Sequence, residues 1–181
     1  MGGNSHYEIR FSGSGGQGII LAAVILGEAA SIYEGKKAVQ SQSYGPEARG
    51  GASKSDVIIS DSEIDFPKAT RIDVLLALTQ KACDKYVVDL KPDGILIVEK
   101  DLVKNIPAGN YKVFKVPVID IAKNKVGKVI TANIVALGAL VGATKAVSKD
   151  AIEKAVLARV PSAFVELNKN ALAEGFKAVE G

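Results

Sequence analysis

One short stretch near the start of the chain constrains the rest: Phe11-Ser12-Gly13-Ser14-Gly15-Gly16-Gln17-Gly18. Before it, His6 to Phe11 alternates polar and apolar residues as a strand does. After it, Ile19 to Tyr33 is rich in Ala, Leu and Ile and reads as a long helix that opens at Gln17. A glycine-rich turn between strand and helix aims unpaired backbone N–H groups, and the positive end of a helix dipole, at one point. That point suits a phosphate or another anion. Gly13, Gly15 and Gly18 match the G-x-G-x-x-G spacing in the strand-to-helix context the motif requires. The same glycines also suit a plain tight turn packed against a neighbouring chain. At this point both readings stand.

Beyond the turn the chain keeps alternating the two patterns. Gly35 reads as the left-handed end of the first helix, whose Ile20, Ala23, Val24, Gly27 and Ala30 are expected to face a sheet. Ala38 to Tyr44 and Lys54 to Ser60 read as strands, and Asp73 to Thr79 is apolar enough for a central strand covered on both faces. A helix over Gln80 to Val88 is followed by Lys91-Pro92-Asp93-Gly94, a turn signature, and then by the apolar strand Gly94 to Val98. Lys112 to Val116 is a further strand, and Pro117 to Lys123 starts a helical turn. The tail is helical. Thr131 caps a helix to Ala143, in which Gly138 and Gly142 allow another backbone close; Ser148 caps Lys149 to Ala158; Ser162 caps a last helix running toward Glu180. Strands alternating with helices predict a three-layer α/β/α sandwich with a mostly parallel or mixed sheet, Rossmann-like in its first strand-turn-helix. No repeat, low-complexity segment or linker divides the chain, so residues 1–181 are expected to form one domain.

Composition removes several functions. Lys and Arg number 23 against 20 Asp and Glu, with the signs mixed along the chain, which is too weak a bias for nucleic acid. The longest apolar candidate, Ile130 to Val147, is interrupted by Thr131, Asn133, Gly138, Gly142, Thr144 and Lys145, so no membrane span is expected. The first residues lack the plan of a signal peptide, and a cytoplasmic location is expected. One cysteine, Cys83, and one histidine, His6, leave no internal disulfide, no chain-borne iron–sulfur cluster and no ordinary zinc site. Cys83 falls in a helical pattern, where a buried structural thiol is the commoner role. With no G-x-S-x-G elbow either, no catalytic residue and no metal ligand is assigned.

A dinucleotide site usually holds its ribose with an acid at the end of the second strand. The window Gly35 to Gln42 contains no acid and carries Lys36 and Lys37, which disfavours NAD and remains compatible with a ligand bearing an extra phosphate, such as NADP or coenzyme A. The next stretch, Ser43-Tyr44-Gly45-Pro46-Glu47-Ala48-Arg49-Gly50-Gly51-Ala52-Ser53, is a loop by composition. It sets Tyr, Glu and Arg among permissive glycines, the equipment of surface recognition. Arg49 can clamp a phosphate or carboxylate, and Glu47 can pair with it or reach a partner. A solvated loop with an incidental ion pair fits equally well.

Together, Gly13-Ser14-Gly15-Gly16-Gln17-Gly18 with its long helix, Tyr44-Gly45-Pro46-Glu47-Ala48-Arg49-Gly50-Gly51, and the tail near Thr131-Ala132-Asn133 resemble the gamma subunit of 2-oxoacid:ferredoxin oxidoreductases over nearly the whole chain. The second motif is most similar to the 2-oxoglutarate branch. The resemblance implies a complex that decarboxylates a 2-oxoacid on thiamine diphosphate with Mg, passes electrons through iron–sulfur clusters to ferredoxin, and releases an acyl-coenzyme A. It implies that alpha and beta subunits, and in some complexes a small ferredoxin-like delta subunit, hold the thiamine and the clusters. This chain would help bind coenzyme A or complete a subunit interface. Gly13, Gly15, Gly16, Gln17, Gly18 and Arg49 are then the expected cofactor-binding residues. Tyr44, Gly45, Pro46, Glu47, Gly50 and Gly51 form the expected interface or ligand loop, on the same sheet edge as the glycine turn because both follow the carboxyl ends of neighbouring strands. A pyruvate or other 2-oxoacid branch of the family, a stand-alone NADP- or flavin-binding protein, and a purely structural subunit are the alternatives.

Overall fold

The computed structural model describes residues 6–43 and 51–180. Six strands form one sheet: β1 (His6–Gly13), β2 (Lys37–Gln42), β3 (Ser53–Ser60), β4 (Ile72–Ala77), β5 (Leu90–Glu99) and β6 (Tyr111–Val116), in the order β2-β3-β1-β4-β5-β6. β1, β4, β5 and β6 run parallel, and β3 is antiparallel to both β1 and β2. The sheet is therefore mixed. Period-two alternation sorts its side chains onto two faces. Ile9, Phe11, Val57, Val74, Leu76 and Ile97 enter one apolar cluster, and Ile58, Leu75, Ala77, Leu96 and Val98 enter the other.

The helices divide between these faces. α1 (Ile19–Glu28), α4 (Ala132–Thr144), α5 (Lys149–Leu157) and α6 (Val165–Lys177) cover the first, and α2 (Gln80–Tyr86) covers the second. α3 (Val118–Asp120) runs directly into a π-helical stretch, Ile121–Val126. The crossover after β1 uses the first face and the crossover after β4 the second. The direction of winding thus switches between two adjacent parallel strands, which opens a crevice beyond their carboxyl ends.

Several local expectations change. Gly18, in the left-handed region at φ 72°, starts α1 at Ile19 and not at Gln17. That start turns Ile19, Ala22, Ala23, Ile25 and Leu26 inward, while Ile20 stands 38% exposed. The last turn of this helix, Ala29–Tyr33, is π-helical and ends before Gly35 at φ 66°. Lys91 to Gly94 is no chain reversal. β5 passes through it, with Asp93 at φ 62° and its N–H donated to the Asn110 carbonyl at 2.7 Å, and the β4–β5 register shifts between Ile72 and Val74 to absorb the kink. Thr131 does not cap α4, because its hydroxyl donates to the Lys128 carbonyl at 2.7 Å. Ser162 opens a 3-10 turn, Ser162–Phe164, that precedes α6. Ser148 does cap α5, its Oγ accepting from the Ala151 N–H at 3.1 Å.

The small residues of the tail have the expected purpose. A Cβ on Gly138 would lie 2.4 Å from the Leu172 carbonyl oxygen, and one on Gly175 would lie 2.2 Å from that of Val135. α4 and α6 thus cross with backbones nearly touching. No helix among the described residues is long and apolar enough to cross a membrane.

Candidate functional site

The glycine turn is built by its own residues. Gly16 at φ 85° and Gly18 at φ 72° adopt a conformation that L side chains rarely take. Gln17 braces the turn from inside, its Oε1 accepting the Ser14 N–H at 2.7 Å. A Cβ on Gly13 would lie 2.3 Å from that same oxygen, so Gly13 leaves room for the brace. A Cβ on Gly18 would lie 2.7 Å from Nδ2 of Asn133, which puts the start of α4 directly against the turn. Gly15 and Gly16 face open space. No side chain caps α1 and its first turn holds no acid, so its leading N–H groups and its dipole remain directed at the crevice.

The crevice is a cleft of about 400 Å³ lined by Gly16, Gln17 and Gly18, by Leu21 of α1, by Leu78 beyond β4, by Glu99 at the end of β5, by Val118 and Ile119 of α3, and by Val129, Ile130, Ala132 and Asn133 before and within α4. Leu78 is held there by its N–H, which donates to the Ser12 carbonyl at 3.0 Å. Glu99 is the one charged lining residue and is 1% exposed. Its two oxygens accept the N–H groups of Asp101 at 2.9 Å and Ile119 at 3.0 Å, which joins the end of β5 to the first turn of α3. The cleft thus has backbone donors at one end, a buried carboxylate at the other and apolar walls between. It can hold an anionic group at the turn and an uncharged or hydrogen-bond-donating portion along the walls. Glu99 and Asn133 were not among the expected site residues. The available signal was an apolar strand closing on a carboxylate, at the strand end where parallel sheets place ligands.

Of the second motif, Tyr44, Gly45, Pro46, Glu47, Ala48, Arg49 and Gly50 lie outside the described residues. Their stems are described. Gln42 pairs through Ser55 to Phe11, so the loop leaves the sheet at the same edge as the glycine turn. The strands involved are not neighbours, however, because β3 lies between β1 and β2. The Ser53 hydroxyl donates to the Gly13 carbonyl at 3.3 Å and so ties the two loop bases together. The Tyr86 hydroxyl donates to the Ala52 carbonyl at 3.0 Å just beyond Gly51. Lys36 and Lys37 lie too far away to meet the extra phosphate of a ligand seated at the turn. Lys37 pairs through Ser60 with His6, at the opposite edge of the sheet, and the two lysines bind Glu34 and Glu63 at 3.0 and 2.8 Å.

Cys83 is buried, and burial together with the nearby Asp84 charge pushes its thiol up to about 11, the reverse of a reactive cysteine. No group of three or more His, Cys, Asp or Glu among the described residues is arranged to hold a metal ion.

Topology and crevice together define the class: a doubly wound α/β protein with a glycine turn at its switch point. The family model for pyruvate ferredoxin/flavodoxin oxidoreductase matches residues 8–178. The 2-oxoglutarate synthase subunit KorC of Methanocaldococcus jannaschii is 52% identical over 172 residues, covering 94% of this chain and 92% of its own. The crystal structure of the keto/oxoacid ferredoxin oxidoreductase gamma subunit from Geobacter sulfurreducens superposes with a TM-score of 0.88 at 64% identity, over 96% of this chain and 98% of that one. The same fold recurs within a longer chain, the 2-oxoglutarate:ferredoxin oxidoreductase of Magnetococcus marinus solved with 2-oxoglutarate, coenzyme A and succinyl-CoA. There the TM-score is 0.84 at 20% identity, over 97% of this chain and 31% of the other. The chain belongs to the pyruvate ferredoxin/flavodoxin oxidoreductase family, as a gamma-type subunit of a 2-oxoacid:ferredoxin oxidoreductase.

Proposed function

We propose that this chain is the gamma subunit of a 2-oxoglutarate:ferredoxin oxidoreductase and that it receives coenzyme A at the switch-point cleft. In this reading alpha and beta subunits carry the 2-oxoacid, thiamine diphosphate, Mg and the iron–sulfur clusters, with a delta subunit where the complex has one. The observation that carries it is the uncapped glycine turn, which opens on the cleft through Gly16, Gln17 and Gly18. The pyrophosphate of coenzyme A would lie on the turn's N–H groups, and the pantetheine arm, neutral and rich in hydrogen-bond donors, would run along the apolar walls toward Glu99. Arg49, from the loop whose base Ser53 ties to Gly13, is the candidate for the 3′-phosphate. The relatives' names support the 2-oxoglutarate branch.

Gly15 supplies the discriminating variant, since a Cβ there meets nothing within 4 Å and leaves the empty turn undisturbed. The test is to isolate the tagged chain anoxically with its companions and to assay coenzyme A-dependent oxidation of 2-oxoglutarate with a viologen dye. Gly15→Val is expected to assemble normally and to raise KM for coenzyme A by roughly tenfold, the equivalent of one lost phosphate contact. An unchanged KM in an intact complex would remove the ligand from this turn.

A further inference from the structure

The cleft holds a charge that the fold does not neutralise. Glu99 lines it, is buried, and makes no ion pair among the described residues. A carboxylate withdrawn from water without a cation is costly unless its oxygens are well supplied with donors. Glu99 has two, the backbone N–H groups of Asp101 and Ile119, one on each oxygen. A carboxylate offers about four acceptor sites, so part of its capacity is left for whatever enters the cleft.

Asn133 is its complement. The Asn133 carboxamide rests against Gly18, lines the same cleft, and has no hydrogen-bond partner among the described residues. Asparagine near a helix start ordinarily serves as a cap, yet no side chain caps α4. A half-buried carboxamide with both its groups unused carries a desolvation cost that a ligand would offset. The cleft therefore pairs an acceptor-only group with one that donates. A divalent cation at Glu99 would need several more oxygen ligands, and no metal-holding group exists among the described residues. A second anion at that end would meet the carboxylate's charge. A secondary amide, with one N–H to give and one C=O to receive, satisfies both side chains at once.

We propose that Glu99 and Asn133 read a secondary amide of the ligand, Glu99 accepting its N–H and the Asn133 carboxamide donating to its C=O. The two residues make the cleft specific for an anion that carries a neutral amide arm, against nucleotides whose second half is charged. This rests on the coenzyme A reading given above and deepens it, because the pantetheine arm carries two secondary amides between pyrophosphate and thiol. A site built to hydrogen-bond an N–H rejects an analogue that lacks it, since its own buried acceptor is then left unpaired.

The test uses the assembled oxidoreductase, isolated anoxically through the tagged chain, and crosses residue changes with ligand changes. Two coenzyme A analogues each have one amide N–H of the pantetheine arm replaced by CH2. With the wild-type complex, one of them is expected to show a KM at least roughly tenfold above that of coenzyme A. In Glu99→Met, which keeps the length of the side chain and removes the acceptor, that difference should shrink to about twofold or less. Glu99→Met also takes a partner from two backbone N–H groups and is expected to lower Tm, so Asn133→Ala, which breaks no hydrogen bond within the chain, decides the matter if it fails to assemble. Asn133→Ala should raise KM for coenzyme A roughly tenfold and leave KM for 2-oxoglutarate where it was. Inhibition by 3′-phosphoadenosine 5′-diphosphate, which has the phosphates without the arm, should not change. Wild type that tolerates both analogues, or an Asn133→Ala complex with unchanged KM for coenzyme A, would overturn the amide reading. So would an equal loss of coenzyme A and of the armless inhibitor, which would make Asn133 a support of the turn. If Gly15→Val still raises KM, the turn keeps its ligand and only this proposal falls. If Gly15→Val has no effect either, the coenzyme A reading falls and takes this one with it.

Discussion

Arg10 is the least accommodating residue in the fold, a guanidinium 1% exposed in the middle of the central strand. Its Nε and Nη2 donate to the two Asp56 oxygens at 2.7 and 3.0 Å, Nη1 donates to Asp89, and Nη2 also reaches the Ala69 carbonyl at 3.1 Å. The Tyr86 ring lies 5.2 Å away across its face. Removing one carboxylate strands buried charge, so Asp56→Ala should destabilise by about 3 kcal/mol, read as a lower denaturant midpoint at unchanged m. Arg10→Lys should not rescue the fold, because an ammonium cannot reproduce the bidentate fork. At Cys83 the folded state holds the thiol proton more tightly than the unfolded chain does, with the pKa raised to about 11 by burial and by Asp84. Its contribution to stability is therefore complete below the ordinary thiol range and is lost as pH rises from there through about 11. Denaturation curves across that window should show a steeper decline for wild type than for Cys83→Ala, by roughly 2–3 kcal/mol in total. Equal slopes would mean the thiol is not buried as described.

Among the elements, the α4–α6 crossing depends on the absence of side chains. A methyl at Gly138 would overlap the Leu172 carbonyl, a backbone atom that cannot rotate away. Gly138→Ala should cost about 1–3 kcal/mol by overpacking. Gly27, inside α1 with nothing within 4 Å of a built Cβ, is its opposite. Gly27→Ala should stabilise by about 0.5–1 kcal/mol through helix propensity. Thermal melts of the two variants should move in opposite directions. Gly138 and Gly142 announced this crossing in the sequence, because small residues four apart share a helix face. Gly175, the other half of the contact, gave no comparable sign, since a single glycine in a charged, amphipathic helix has no partner until α4 is laid against it. Capping was legible only in part. Ser148 met an open helix start, whereas the Thr131 hydroxyl found a nearer acceptor in the preceding turn.

Among the described residues the two faces of the sheet are covered unequally, by α1, α3, α4, α5 and α6 on one side and chiefly by α2 on the other. Local opening should follow that asymmetry. Hydrogen exchange followed by mass is expected to find amides of Gln80 to Tyr86 exchanging well before those of Ile134 to Val141. The reverse order would mean that the apolar cluster under α2, with Arg10 and its carboxylates beside it, holds more strongly than its size suggests.

The sequence by itself determined the local elements, the glycine turn and the family. Alternation, helical periodicity and backbone-permissive glycines are properties of neighbouring residues, and the paired motifs are specific enough to carry a resemblance. Tertiary structure alone decided what those elements face. β3 inserts between β1 and β2, which sends Lys36 and Lys37 to the far edge. Residues more than 80 positions apart, Gly18 with Glu99 and Asn133, close around one cleft. Ile130, at the head of the longest apolar run in the sequence, stands in solvent. Each of these is a long-range outcome of strand order and helix crossing, which no window of local sequence encodes.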